Sequence, residues 1–274
     1  MPIRPSTTRP PTAPLQAISA LGILAALAAA PAAAQETFEG SVGLGAGFNT
    51  EYEGADEYHP IPVVPISLRY QGFGLQTAGQ GVQIDVSGIR FIDFGPLVQY
   101  RSNRGSDVDD PVVALLPEVD AAVEIGGFVE INLPFFLPGT DAFTFIGRFT
   151  YDIADSHGGV LIQPGLRYSV PIGEDIRINL IGTTTFASED YNETYFGVTP
   201  AASMASGLPV YDAGAGFKDI SATLAGSYYF SEHWGVTAVM RYTMLVGDAA
   251  DSPITELRGS RNQFLGGLAL SYRF

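Results

Sequence analysis

The stretch RNQFLGGLALSYRF, Arg261 to Phe274, decides the fold. From Phe264 the even positions are Phe264, Gly266, Leu268, Leu270, Tyr272 and Phe274, and the odd ones are Leu265, Gly267, Ala269, Ser271 and Arg273. Large apolar groups take one face; small, polar or charged groups take the other. A period of two marks a strand whose two faces meet different surroundings. Lipid on one side and a polar lumen on the other produce this pattern.

The same alternation recurs along the chain. It predicts twelve strands, at 40–48, 61–70, 73–77, 82–86, within 89–102, 118–131, 143–153, 160–170, 176–186, 220–230, 234–246 and 261–274. Pro60, Pro62 and Pro65 blur the start of the second, because proline gives a ladder no N–H. Connections alternate too. With both termini periplasmic, the odd connections face outward, and four of those six exceed ten residues. Every even connection has ten or fewer, the asymmetry of a bacterial outer-membrane barrel. To close such a barrel, the last strand must pair with 41–48. The fold class expected is therefore an all-β transmembrane antiparallel barrel of about twelve strands.

Charge sorting points the same way. Arg69, Arg101, Arg148, Arg167, Arg177, Arg241 and Arg273 all fall on polar strand faces, as do Asp85, Glu118, Asp120, Glu124 and Glu130. An Arg facing lipid at the midplane costs roughly 2–4 kcal/mol. Arg148, Arg167, Arg177, Arg241, Arg273, Glu118, Glu124 and Glu130 are thus expected to line the lumen and pair there. Aromatic residues near strand ends suit interfacial girdles. Inward glycines such as Gly43, Gly45, Gly47 and Gly267 fit either an open lumen or close strand packing.

The 274 residues begin with a secretory pattern. Arg4 and Arg9 precede the apolar run 18–30, and Ala32-Ala33-Ala34 offers a cleavage site. Residues 1–34 are expected to be a signal peptide and 35–274 the barrel. An anchor helix is the alternative, but Pro31 interrupts the run. Without Arg4 and Arg9, 12 of the 14 basic groups face 29 acidic ones, a charge near −17. That excludes nucleic acid as a partner. The chain has no cysteine, so thiolate chemistry and disulfides are excluded.

No nucleophilic or metal-ligand spacing appears, so no catalytic, cofactor or metal residue is expected. Asp155-Ser156-His157 reads as a solvated loop, because contiguous side chains do not form a relay. The acidic loop residues Glu51, Glu53, Asp56 and Glu57 are candidates for collecting cations, or simply a solvated rim. In the turn 132–141, Phe135, Phe136 and Leu137 offer either a protein contact or part of the girdle. The longest loop, 189–216, is apolar in parts and is expected to plug or cap the mouth.

Five stretches resemble the MipA/OmpV family of Gram-negative outer-membrane proteins, the MltA-interacting protein family. They are Glu51-Tyr52-Glu53-Gly54, Tyr195 to Pro200 (YFGVTP), Ser206 to Gly214 (SGLPVYDAG), Leu245 to Ile254 (LVGDAADSPI) and Arg258 to Phe264 (RGSRNQF). The resemblance implies a barrel in the cell outer membrane, in contact with its lipid and lipopolysaccharide. It also implies a non-enzymatic scaffold joining a murein polymerase to a lytic transglycosylase, with no catalytic residue to carry over. The alternative function is a narrow channel or binder for small cationic solutes or antibiotics.

Overall fold

One antiparallel sheet closes on itself. Its strands are β1 (Phe38–Thr50), β2 (Tyr58–Val63), β3 (Ile66–Tyr70), β4 (Phe73–Ala78), β5 (Gly81–Asp85), β6 (Ile92–Arg101) and β7 (Ala122–Phe135). They continue with β8 (Asp141–Asp152), β9 (Val160–Ile172), β10 (Ile176–Ala187), β11 (Gly216–Tyr229), β12 (Trp234–Leu245) and β13 (Asn262–Arg273). This computed structural model describes residues 38–135 and 141–274, apart from the side chains of Phe38, Pro134, Phe135 and Asp141. The expected signal peptide 1–34 and the contact residues Phe136 and Leu137 lie outside them, as does the side chain of Phe135.

β2 and β3 are two halves of one strand. Both pair with β1, β2 opposite residues 45–50 and β3 opposite 38–42, and the break falls at Val64-Pro65. With those halves joined, the barrel has the expected twelve strands. Closure also joins the expected strands, with Ser41 opposite Arg273 and Phe48 opposite Gly266. The glycines of β1 serve close packing. A Cβ on Gly45 would overlap the Leu268 carbonyl, and one on Gly47 would overlap the Gly266 carbonyl. Val63 fills the inner space beside Gly47 and Gly267.

The alternation sorts as the sequence predicts. Outward apolar groups such as Leu44, Ile125, Phe149, Leu224, Met240 and Leu268 are exposed, the lipid-facing band of a barrel. Exposed aromatics gather at both rims: Tyr70, Phe73, Tyr228, Phe230 and Trp234 at the short-turn end, and Tyr58, Tyr151, Phe186 and Phe217 at the long-loop end. The opposite positions Gln83, Asp85, Glu124, Glu130, Thr144, Thr223 and Ser271 are buried.

One predicted strand runs too long. β7 begins at Ala122, so Glu118 does not line the lumen; it is exposed in the preceding loop. There Val119 and Arg104 form a two-way backbone bridge at 2.9 Å, which draws 118–121 away from the barrel wall.

Candidate functional site

The long loops fold over one mouth of the barrel and pack against one another. The loop 188–215 holds two helices, α1 (Glu189–Phe196) and α2 (Pro200–Ser206). The loop 246–261 holds α3 (Asp248–Asp251) and α4 (Pro253–Arg258). Helix starts are specified locally. Thr199 caps α2 by accepting from the Ala202 N–H at 3.2 Å, with Pro200 next to it. Gly207 ends α2 with φ of 79°, which favours glycine.

Two apolar clusters hold this cap together. Tyr191, Tyr195 and Phe196 of α1 share a buried face and pack with Leu245, Ala249 and Ala250. Tyr52, Val113, Leu116, Val198, Leu208 and Ile254 form the second cluster, from four different loops. Polar clasps join the loops as well. The Arg258 guanidinium donates to Asp110 Oδ2 through Nε at 3.0 Å and a terminal nitrogen at 2.6 Å. Burial alone raises the Asp110 carboxyl, but Arg258 and the N–H groups of Val113 and Val112 outweigh it and hold it below the usual range. The expected cap over the mouth, formed by 189–216, is therefore present.

Beneath the cap, Glu53 is the hub. Its carboxylate accepts from Arg101 of β6 at 3.1 Å, from Lys218 of β11 at 3.0 Å and from the Tyr191 hydroxyl at 2.8 Å. β6 and β11 stand five places apart in the twelve-strand ring, so the contact spans the mouth. The Tyr191 ring lies 5.0 Å from the Arg101 guanidinium and 5.5 Å from the Lys218 ammonium, each in cation–π contact. Burial raises the Glu53 carboxyl; Lys218 and Arg101 outweigh that and keep it below its ordinary value. Arg101 also donates to Glu124 at 2.7 Å, and Glu124 accepts from Thr150 at 2.8 Å.

Lys218 reaches the hub because of a β-bulge. Thr185 pairs with Asp219 and Phe186 with Phe217, which leaves Lys218 as the extra residue. Both Lys218 and Asp219 then face inward, 2.8 Å apart.

His157 is part of the same assembly, contrary to the solvated loop expected. Asp152 collects the N–H groups of Ala154, Ser156, His157 and Gly158, which curls the loop inward. The buried ring accepts the Gly159 N–H at Nδ1 (3.0 Å), so its Nε2 donates to Glu124 at 3.2 Å. The Ser156 hydroxyl donates to the Ala121 carbonyl at 2.9 Å, away from the imidazole. Asp155-Ser156-His157 therefore does not assemble into a relay.

A second carboxylate organises the wall below. Glu130 of β7 accepts from Arg167 of β9 at 2.6 Å and from Gln83 of β5 at 3.1 Å, and lies 3.6 Å from Arg148 of β8. Arg241 donates to Thr223 at 3.1 Å. Arg273 lies over the Tyr229 ring at 4.2 Å near the short-turn rim. Arg177 shares the inward face at that end but is exposed. Of the acidic loop residues singled out in the sequence, Glu53 enters the hub and Glu51 turns toward His59 and Asp109. Asp56 and Glu57 form no ion pair among the described residues. What sequence reasoning missed is Lys218 and Tyr191. The signal for Lys218 was the doublet Lys218-Asp219, which strict alternation would set half in lipid.

Similarities to known proteins span most of this chain. Outer membrane protein OmpV of Vibrio cholerae is 27% identical over 206 residues, spanning 72% of this chain and 75% of that one. The translocator domain of the autotransporter NalP from Neisseria meningitidis is similar in structure, with 12% identity, 93% of each chain covered and a TM-score of 0.42. OprD of Pseudomonas aeruginosa has 9% identity and a TM-score of 0.32, over 87% of this chain and 94% of that one. The family model described as MltA-interacting protein MipA matches residues 42–274, nearly the whole barrel and all of its cap. The chain is an outer-membrane β-barrel that belongs to the MltA-interacting protein MipA family.

Proposed function

We propose that this protein is a non-enzymatic barrel that works as a closed body, holding murein enzymes at its periplasmic end. The observation that carries the closed reading is Glu53, which ties strands on opposite sides of the mouth beneath a packed cap. A solute passing through would have to displace a buried apolar layer and then separate desolvated ion pairs, and each such pair costs several kcal/mol to break. The family description names an interaction with MltA, and the resemblance extends it to a murein polymerase. The turn between β7 and β8 is the docking candidate, with Phe135, Phe136 and Leu137.

Two measurements test this. In planar bilayers the purified protein is expected to carry no steady current; a stable ohmic current would favour the channel reading for small cationic solutes. In a pull-down, the barrel is expected to capture a lytic transglycosylase and lose it when Phe135 and Phe136 become Ser. Capture that survives the double substitution removes that turn as the docking site, and no capture at all removes the scaffold.

A further inference from the structure

We propose that Glu51, His59 and Asp109 form a binding site for a first-row divalent metal ion, best fitted by Zn2+, that ties the loop after β1 to the loop after β6. The donor atoms of the three side chains lie within 4.8 Å of one another. His59 Nε2 is 3.4 Å from Glu51 Oε1 and 3.5 Å from Asp109 Oδ2. Those separations exceed the 2.7–3.2 Å of a firm hydrogen bond. They match a metal's first shell instead: two donors about 2.1 Å from Zn2+ at a tetrahedral angle are themselves roughly 3.4 Å apart.

The charge around the site favours a cation. Glu51 and Asp109 meet no Lys or Arg in any ion pair among the described residues; His59 is their shared partner. Glu53, Glu124, Glu130 and Asp110 each have an arginine or lysine, and the buried Asp85 and Asp152 are met by backbone N–H groups instead. The two ligands nearest the barrel are held in place. His59 lies in β2 opposite Asn49, and the Glu51 side chain is only 7% exposed. The Asp109 backbone N–H donates to both Glu51 oxygens, at 3.1 and 3.3 Å, fixing the carboxylate plane as outer-shell donors do in metal sites. Asp109 itself is 65% exposed and free to close the third side.

The donor set also selects the ion. One imidazole with two carboxylates suits a borderline ion such as Zn2+, whereas Ca2+ and Mg2+ take oxygen ligands alone. The fourth position is left to solvent.

Isothermal titration of the whole barrel in detergent with ZnCl2, in a non-chelating buffer, tests the site. One Zn2+ per chain is expected. His59→Ala and Asp109→Asn should each weaken it by more than the roughly tenfold to hundredfold that outer-shell changes cost. Asp56→Asn should leave it unchanged, and a large excess of Ca2+ should not displace it. Because Asp109 is exposed, Asp109→Asn keeps the test valid if His59→Ala disturbs the first loop. Absence of wild-type binding, wild-type affinity in both variants, or displacement by Ca2+ would each overturn the proposal; the last two describe a diffuse acidic rim.

Discussion

Glu53 and Glu130 are each a carboxylate between two cations, and they do opposite jobs. Glu130 is on β7 and meets Arg148 and Arg167 on the next two strands, β8 and β9, with its side chain fully buried. Glu53 is on a loop, keeps 26% of its side chain accessible, and meets strands five places apart. The first joins wall to wall and the second joins cap to wall. Since backbone ladders already hold the wall, Glu130 sets how firmly the lumen is packed. The cap has no continuous ladder among the described residues, only scattered backbone links such as the Ser260 N–H to the Gly54 carbonyl at 2.8 Å, so its side chains carry more of the holding, and Glu53 is the tie that spans the mouth.

The largest effect is expected from breaking the wall pair. Glu130→Ala leaves two arginines facing each other without their carboxylate. Removing one partner of a buried pair costs about 3–5 kcal/mol, and the lower end applies because both arginines keep some solvent contact. Urea unfolding of the barrel in lipid vesicles measures this. Adding Arg148→Met should recover part of the loss. An unchanged midpoint for Glu130→Ala would mean that the ladders alone set the stability of the wall.

Glu53→Ala should act on the cap and spare the barrel. It removes the one carboxylate that accepts from three donors, and hydrogen bonds to charged groups contribute about 1.5–3 kcal/mol each, less here because Glu53 is partly accessible. Protease cleavage within 188–215 should speed up, and transient current bursts should appear in bilayers, while the urea midpoint moves little. Acid should mimic the substitution. The Glu53 and Asp110 carboxyls are both held below their ordinary values of 4.5 and 3.8. Depressed carboxylates stabilise fully above the ordinary value and lose that contribution as pH falls through the folded one. The wild-type cap should therefore be tight above about pH 5 and loosen progressively below it. A cap that loosens on raising pH from neutrality would contradict this account.

The same two regions differ in how legible they were in the sequence. The wall could be read because a strand repeats every two residues, so Arg148, Arg167, Glu124 and Glu130 had only one face to occupy. One omission and one misreading came where the backbone departs from that rule. Lys218 is inward only because a bulge shifts its phase, and 118–121 keep alternating after the chain has left the sheet. The cap obeys no period. Its contacts join residues far apart in sequence, Glu53 to Lys218 and Asp110 to Arg258, and no local pattern encodes them. Composition alone hinted that 189–216 was not free. Even so, all five stretches that carry the family resemblance run through the cap or its edges, in β1–β2, α1, α2, α3 and α4. The fold was readable from the wall, while the family signature resides in the cap.

Two tyrosines of the cap give the finest test of what holds it. Tyr191 and Tyr52 are both buried, and burial raises both phenols above their ordinary value. They differ in their hydroxyls. Tyr191 donates to Glu53 at 2.8 Å, whereas the Tyr52 hydroxyl has no hydrogen-bond partner among the described residues. Replacing Tyr191 by Phe removes a charged hydrogen bond, costing about 1.5–3 kcal/mol, and leaves the Glu53 carboxylate one donor short. Replacing Tyr52 by Phe keeps the ring in its apolar cluster with Val113 and Ile254 and removes a polar group from a buried site. That change should be near neutral, within about 1 kcal/mol, or slightly stabilising. Amide hydrogen exchange across 188–215 measures both, and Tyr191→Phe should raise it while Tyr52→Phe leaves it alone. Equal effects would mean that apolar packing, rather than the Glu53 hub, closes the mouth.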